Sequence, residues 1–285
     1  MIESSDLGDG GESDLGPAIE VVREAYPRGG FRAALFDFDG TLSLLRRGWQ
    51  DVMIPMMVEI LAQTPRAESR DDILRVVDDY VARLTGKQTI YQMIQLAEEV
   101  ERRGGTPLEP LAYKRTYHDR LWTEVERRIA AVRSDEIAAE EMMVPGSIAL
   151  LDRLRDRGLP LYLASGTDLS YVRDEVEVLG LFQYFGPHVY GALDDYRSFS
   201  KAMIVDRIVS EQGIEGRALI GFGDGYVEIQ EIKRVGGLAV GVASNEIERR
   251  GTNEWKRRRL IEAGADVIVA DYRRVDELLN VVGLS

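Results

Sequence analysis

Residues 33–36, Ala-Ala-Leu-Phe, form a short apolar run with no polar residue at alternate positions, and four similar runs follow at 159–164, 218–222, 238–242 and 266–270. A strand with one wet face alternates apolar and polar residues. A run that is apolar throughout suits a strand buried on both faces, as in a parallel sheet covered by helices on each side. Each run lies next to a segment with helical apolar spacing, so the chain reads as an α/β protein with a parallel sheet.

Between the first run and the second, residues 46–143 show no convincing strand and strong spacing of three and four. Val52, Met56, Glu59 and Ile60 recur this way, as do Ile73, Val77, Tyr80 and Leu84, then Ile90, Ile94 and Ala97, then Leu121, Val125, Ile129 and Val132. Each set is one buried helix face, so an all-helical domain is expected here. Gly104-Gly105-Thr106-Pro107 punctuates it, and Val144-Pro145-Gly146 marks the return to the sheet. The expected division is a core of residues 17–45 and 144–285 and a helical insertion of residues 46–143. Residues 1–16, acidic and rich in Gly and Ser, are expected to form a flexible tail. Ile19, Val22 and Ala25 suggest a helix over residues 17–26.

Composition narrows the chemistry. Of 285 residues 45% are hydrophobic and 30% charged, enough to bury a full core. A formal charge of −13 disfavours nucleic acid and anionic membranes as partners. With no cysteine, disulfides, thiolate metal sites and a cysteine nucleophile are excluded, and any metal must be held by oxygen or by the two histidines. The first residues lack a basic start and an apolar run, so a cytoplasmic location is expected.

Four segments carry chemistry. The first run ends in Phe36-Asp37-Phe38-Asp39-Gly40-Thr41, and two carboxylates two residues apart on an extended segment share a face. Such like charges call for a cation or a shared proton, and a hard ion such as Mg²⁺ is the simplest solution. The second run leads into Ser165-Gly166-Thr167-Asp168, whose hydroxyls and backbone suit either a phosphate or ordinary helix capping. Lys201 stands where a helix begins, a position that opposes the dipole unless an anion is near. Gly223-Asp224-Gly225-Tyr226-Val227-Glu228 places two carboxylates one helical turn apart. It fails as a dinucleotide loop because Tyr226 occupies the position of a small residue. His118 and His188 read as structural, Met53, Met56 and Met57 as core, and the run Trp255-Lys256-Arg257-Arg258-Arg259 as a solvated helix face.

Taken in order, these segments resemble the haloacid dehalogenase superfamily, in particular its Mg²⁺-dependent phosphatases of the phosphoglycolate phosphatase-like type, over residues 31–270. The resemblance implies a Rossmann-like core with residues 46–143 as a helical cap. It makes Asp37 the nucleophile of an aspartyl-phosphate mechanism and Asp39 the acid/base. Ser165, Gly166 and Lys201 would bind phosphate. Mg²⁺ would sit on Asp37, Asp224 and the backbone carbonyl of Asp39, with Glu228, where many members have Asp, as outer support. The partner implied is a small phosphorylated metabolite, its identity read by the cap through Arg46, Arg47, Trp49, Lys87 and Gln88. A sugar phosphomutase is the alternative within the superfamily, and a non-catalytic binding protein on a phosphatase fold is the alternative from another class.

Overall fold

The computed structural model describes residues 19–193 and 195–285, so the tail expected at residues 1–16 lies outside the described residues. The strands are β1 (Ile19–Val21), β2 (Ala33–Phe36), β3 (Leu161–Asp168), β4 (Val189–Ala192), β5 (Leu219–Gly223), β6 (Leu238–Val242) and β7 (Val267–Val269). They form one sheet in the order β1-β7-β6-β5-β2-β3-β4, parallel throughout except for β1, which runs antiparallel to β7. The helices are α1 (Trp49–Leu61), α2 (Arg70–Leu84), α3 (Thr89–Arg102), α4 (Pro110–Arg133), α5 (Ser147–Asp156), α6 (Leu169–Val178), α7 (Phe182–Phe185), α8 (Lys201–Glu211), α9 (Tyr226–Arg234), α10 (Glu254–Ala263) and α11 (Val275–Val282).

The five apolar runs are the five inner strands, and each buries both faces. In β2, Ala34 and Phe36 join one apolar cluster, with α5, α6 and α11, while Ala33 and Leu35 join the other, with α8, α9 and α10. Two strands went unpredicted. Ile19–Val21 forms an edge strand rather than a helix: its register with β7 pairs Ile19 with Val269, and Arg257 anchors Glu20 through two hydrogen bonds of 2.6 Å. β-branched residues at both ends of the segment favour that extended form. β4 is four residues long and contains Gly191, too short for its pattern to stand out.

Helices α1 to α4 lie between β2 and β3 and pack on one another, and their apolar side chains run continuously into the cluster on one sheet face. The chain leaves and returns side by side. The amide of Leu44 donates to the Met142 carbonyl at 2.8 Å and that of Val144 to the Leu42 carbonyl at 2.9 Å. Among the described residues no helix is long and apolar enough to cross a membrane.

Candidate active site

From β2 the chain crosses to β3 on one side and later to β5 on the other, so a crevice opens beyond the carboxyl end of β2. Asp37 follows that strand directly, fixed by its amide donating to the Phe222 carbonyl at 2.9 Å. Asp37 and Asp39 line one cavity of about 100 Å³ together with Ser165, Gly166, Thr167, Lys201 and Asp224. The four sequence segments therefore converge, each at the carboxyl end of a strand or the start of a helix.

Lys201 is the first residue of α8, and its neighbour Ser200 caps that helix by accepting from the Met203 amide at 3.2 Å. Its buried ammonium reaches Asp37 Oδ1 at 2.6 Å and also contacts the Glu228 carboxylate. The anions that a lysine at this position calls for are thus Asp37 and Glu228. Glu228 faces Lys201 and does not line the cavity, which makes it a support for the lysine.

Asp39 is held differently. Ser165 and Thr167 donate their hydroxyls to its Oδ2 at 3.2 and 2.9 Å, and Arg46 Nε lies 3.9 Å from its Oδ1. Ser165 also accepts from the Thr167 amide at 3.0 Å. Helix capping does not engage these side chains, since Asp168 pairs with Lys114 of α4 and makes no cap bond. Arg46 itself is spoken for. It donates to Glu175 of α6 through contacts of 2.6, 3.0 and 3.3 Å, and Glu175 is fully buried.

Asp224 follows β5, and here the basic run departs from the expected solvated face. Lys256 is buried and donates to Asp224 Oδ2 at 2.7 Å and to Glu246 at 2.6 Å. Arg257 holds Glu20 and Arg259 donates to the Ala82 carbonyl, so much of the run points inward because acids and a helix end await it.

The loop between α2 and α3 closes over the crevice. Gly86, at φ +93°, lies so close to Glu228 and Gly225 that a side chain there would strike the carboxylate, and the Lys87 carbonyl leaves no room for a Cβ on Gly166. Thr85, Lys87 and Thr89 line the cavity with Trp49, Met53, Gln92, Tyr117 and Arg46. The Lys87 ammonium lies 5.8 Å from the centroid of the Tyr91 ring. Arg47 and Gln88 are not brought to the cavity: the Arg47 carbonyl accepts from Arg128 at 2.9 Å, and Gln88 donates to the Phe199 carbonyl at 2.8 Å. Met53, read as core, is both buried and at the cavity wall, while His118 stacks on Tyr171 and His188 packs on Tyr162.

A model of the haloacid dehalogenase-like hydrolase family matches residues 31–236 of the chain. The chain belongs to that family. Solved structures agree on the fold. A predicted phosphoglycolate phosphatase from Haemophilus somnus is 14% identical with a TM-score of 0.57, covering 88% of this chain and 98% of its own. A predicted phosphatase from Clostridium acetobutylicum is 20% identical with a TM-score of 0.54 over 88% and 98% of the two chains. A hydrolase of the same family from Deinococcus radiodurans, with bound phosphate and sodium, is 16% identical with a TM-score of 0.52 over 90% and 97%. Among curated protein sequences none matches.

The charges of this cavity are crowded. Burial pushes Asp37 up to about 7, with Lys201 opposing and Asp224 adding to the rise. Burial likewise raises Asp39 to about 6, against the pull of Arg46. Asp37 Oδ2 and Asp224 Oδ1 have no hydrogen-bond partner among the described residues, so each carboxylate keeps one oxygen for a ligand while a lysine holds the other. Among the described residues no three acidic or histidine side chains close on one point. Two carboxylates and a main-chain carbonyl fit a hard cation that retains several waters. Sequence reasoning missed Glu175, Gln92, Tyr117, Lys256 and Glu246. Of these, Gln92 carried a signal, a polar residue inside the buried stripe of α3, and Tyr117 another, since Tyr113 and Tyr117 extend the Leu121, Val125, Ile129 series backwards by fours.

Proposed function

We propose that this hydrolase is a phosphatase that cleaves a small phosphomonoester metabolite with Mg²⁺, through an aspartyl-phosphate on Asp37. The observation that carries this reading is the pairing of two unlike aspartates in one cavity. Asp37 is buried against Lys201, and Asp39 is held by two hydroxyls with its other oxygen, Oδ1, free of any hydrogen bond.

A phosphate monoester resists attack because its oxygens repel a nucleophile, so positive charge and alignment dominate catalysis. Asp37 attacks phosphorus, and the bond to the leaving oxygen breaks as Asp39 supplies a proton to it. Asp39 then takes a proton from the water that attacks the aspartyl-phosphate, which frees orthophosphate and restores Asp37. Lys201, Ser165 and the Gly166 amide are the donors for the phosphoryl oxygens. Asp37, Asp224 and the Asp39 carbonyl would hold Mg²⁺, whose charge offsets that of the phosphoryl oxygens. Glu228 keeps Lys201 in place and carries no step itself.

The test is orthophosphate release from a panel of phosphate esters in Mg²⁺, with Asp37→Asn as the control. Release that vanishes in Asp37→Asn, with the circular dichroism spectrum preserved, is expected. No release from any ester, or a wild-type rate in Asp37→Asn, overturns the reading. Release without an added sugar bisphosphate separates hydrolysis from the mutase reaction.

A further inference from the structure

The cavity has two unlike ends. At one lie Asp37, Lys201, Asp224 and the Ser165-Gly166-Thr167 segment; at the other, from α1, α3, α4 and the loop after α2, lie Trp49, Met53, Lys87, Thr89, Gln92 and Tyr117. The second end is the leaving-group end by elimination, since the phosphoryl donors occupy the first.

We infer, resting on the phosphatase reading, that the leaving group is a short, uncharged, hydroxyl-bearing chain recognised by Gln92 and Tyr117. Three observations support this. Gln92 is 4% exposed and Tyr117 7%, yet neither side chain has a hydrogen-bond partner among the described residues, although both line the cavity. The polar atoms of both side chains open onto the cavity with no protein partner among the described residues, so a ligand hydroxyl can take the place of water on each. An amide and a hydroxyl each donate and accept, which matches an alcohol.

The second observation is charge. A leaving group with its own carboxylate needs a free cation, and Arg46, the one arginine lining the cavity among the described residues, is neutralised by Glu175. Lys87 also lines the cavity and makes no ion pair among the described residues, but it is solvent-exposed with its ammonium over the Tyr91 ring, so a carboxylate meeting it gains only the small energy of a screened surface pair. The inference therefore selects against acids of the phosphoglycolate kind.

The third is size. At roughly 10–15 Å³ for each water-sized group, a cavity of about 100 Å³ holds a phosphoryl group and a leaving group of a few carbons. Trp49 and Met53 pack the carbon chain while Gln92 and Tyr117 take its hydroxyls.

The experiment compares kcat/KM for glycerol 3-phosphate, n-propyl phosphate and 2-phosphoglycolate in Mg²⁺, for the wild type, Gln92→Met and Tyr117→Phe. The wild type should prefer glycerol 3-phosphate over n-propyl phosphate by about tenfold or more, as buried polar groups do when a partner hydroxyl is lost. 2-Phosphoglycolate should be the poorest of the three. Each variant should shrink the glycerol-to-propyl ratio several-fold, with its melting temperature as the check on folding. If a variant does not fold, the wild-type ratios decide. Equal turnover of the three esters, preference for the carboxylate, or an unchanged ratio in both folded variants overturns the inference and leaves the phosphatase reading standing. No turnover of these or any other ester overturns that reading, and this inference with it.

Discussion

Replacing Arg46 with Met should destabilise the fold by about 3–5 kcal/mol, the range for removing one partner of a buried ion pair. Glu175 has no exposed surface and Arg46 has 9% of its side chain exposed, so water cannot replace the lost guanidinium. At roughly 2–4 °C per kcal/mol for a chain of this size, the melting temperature should fall on the order of 10 °C. Burial already raises Glu175, and Arg46 is what holds it down. Without the arginine Glu175 rises further and protonates, which limits the damage at low pH. A carboxyl with a raised folded pKa contributes stability at low pH that is lost as pH climbs through that pKa, so the deficit should be larger at pH 8 than at pH 5. The double variant Arg46→Met, Glu175→Leu removes both charges and should recover most of the loss. Urea denaturation of the four proteins in the cycle gives the coupling directly. A cost below about 1 kcal/mol for Arg46→Met, or a double variant no more stable than the sum of the singles, would refute the account.

Asp39→Asn should slow phosphate release by roughly 10²–10⁴ through lost proton transfer, most for esters with basic leaving groups; a uniform loss across leaving groups argues against that role. Because Asp37 and Asp39 are raised to about 7 and 6, the stability they contribute is present below about pH 4 and lost as pH rises through 6 to 7. Calorimetry with chelator should show that loss, and added Mg²⁺ should raise the melting temperature more at pH 8 than at pH 5.5; an equal rise at both counts against the Asp37 and Asp224 site. Lys256→Met strands Asp224 and Glu246 with 11% and 14% of their side-chain surface exposed, so it should destabilise the chelated protein, with Mg²⁺ recovering part of the loss. No recovery would place Asp224 outside the metal site.

What the sequence disclosed depends on how local each signal is. The inner strands are legible because a strand buried on both faces must be apolar at every position, which residues 33–36 and 238–242 satisfy. The insertion is legible because its helices carry long stripes. Asp37, Asp39, Lys201 and Asp224 are legible because each sits at a strand end or helix start within a short segment. β1 is not, because three residues at a sheet edge gain their form from pairing with β7 and from Arg257, 237 positions away. Lys256 is not, because only the fold brings Asp224 and Glu246 to it. For α3 the periodicity is right and the phase mixed: Ile94 and Ala97 are half-buried while Met93, Leu96 and Val100 join Ile90 in the core. That rotation is what turns Gln92 inward.

The site repeats one electrostatic arrangement three times. Asp37 is held by Lys201, which Glu228 holds in turn; Arg46 lies between Asp39 and Glu175; Lys256 lies between Asp224 and Glu246. In each, a cation lies beside one aspartate at the cavity, while a glutamate on a separate element fixes the cation. Such bracing limits the freedom of the aspartates, and it has a consequence for charge. Each set carries one net negative charge when its carboxylates are ionised, so the cations do not cancel the acids around them. A phosphate dianion entering this cavity meets a net negative charge that Lys201, already shared between Asp37 and Glu228, offsets only in part. Burial is the main cause of the raised positions of Asp37 and Asp39, and the neighbouring carboxylates, Asp224 for both, add to it. A divalent cation between Asp37 and Asp224 would offset the net negative charge, which is why phosphate binding and metal binding should be coupled here rather than merely coincident.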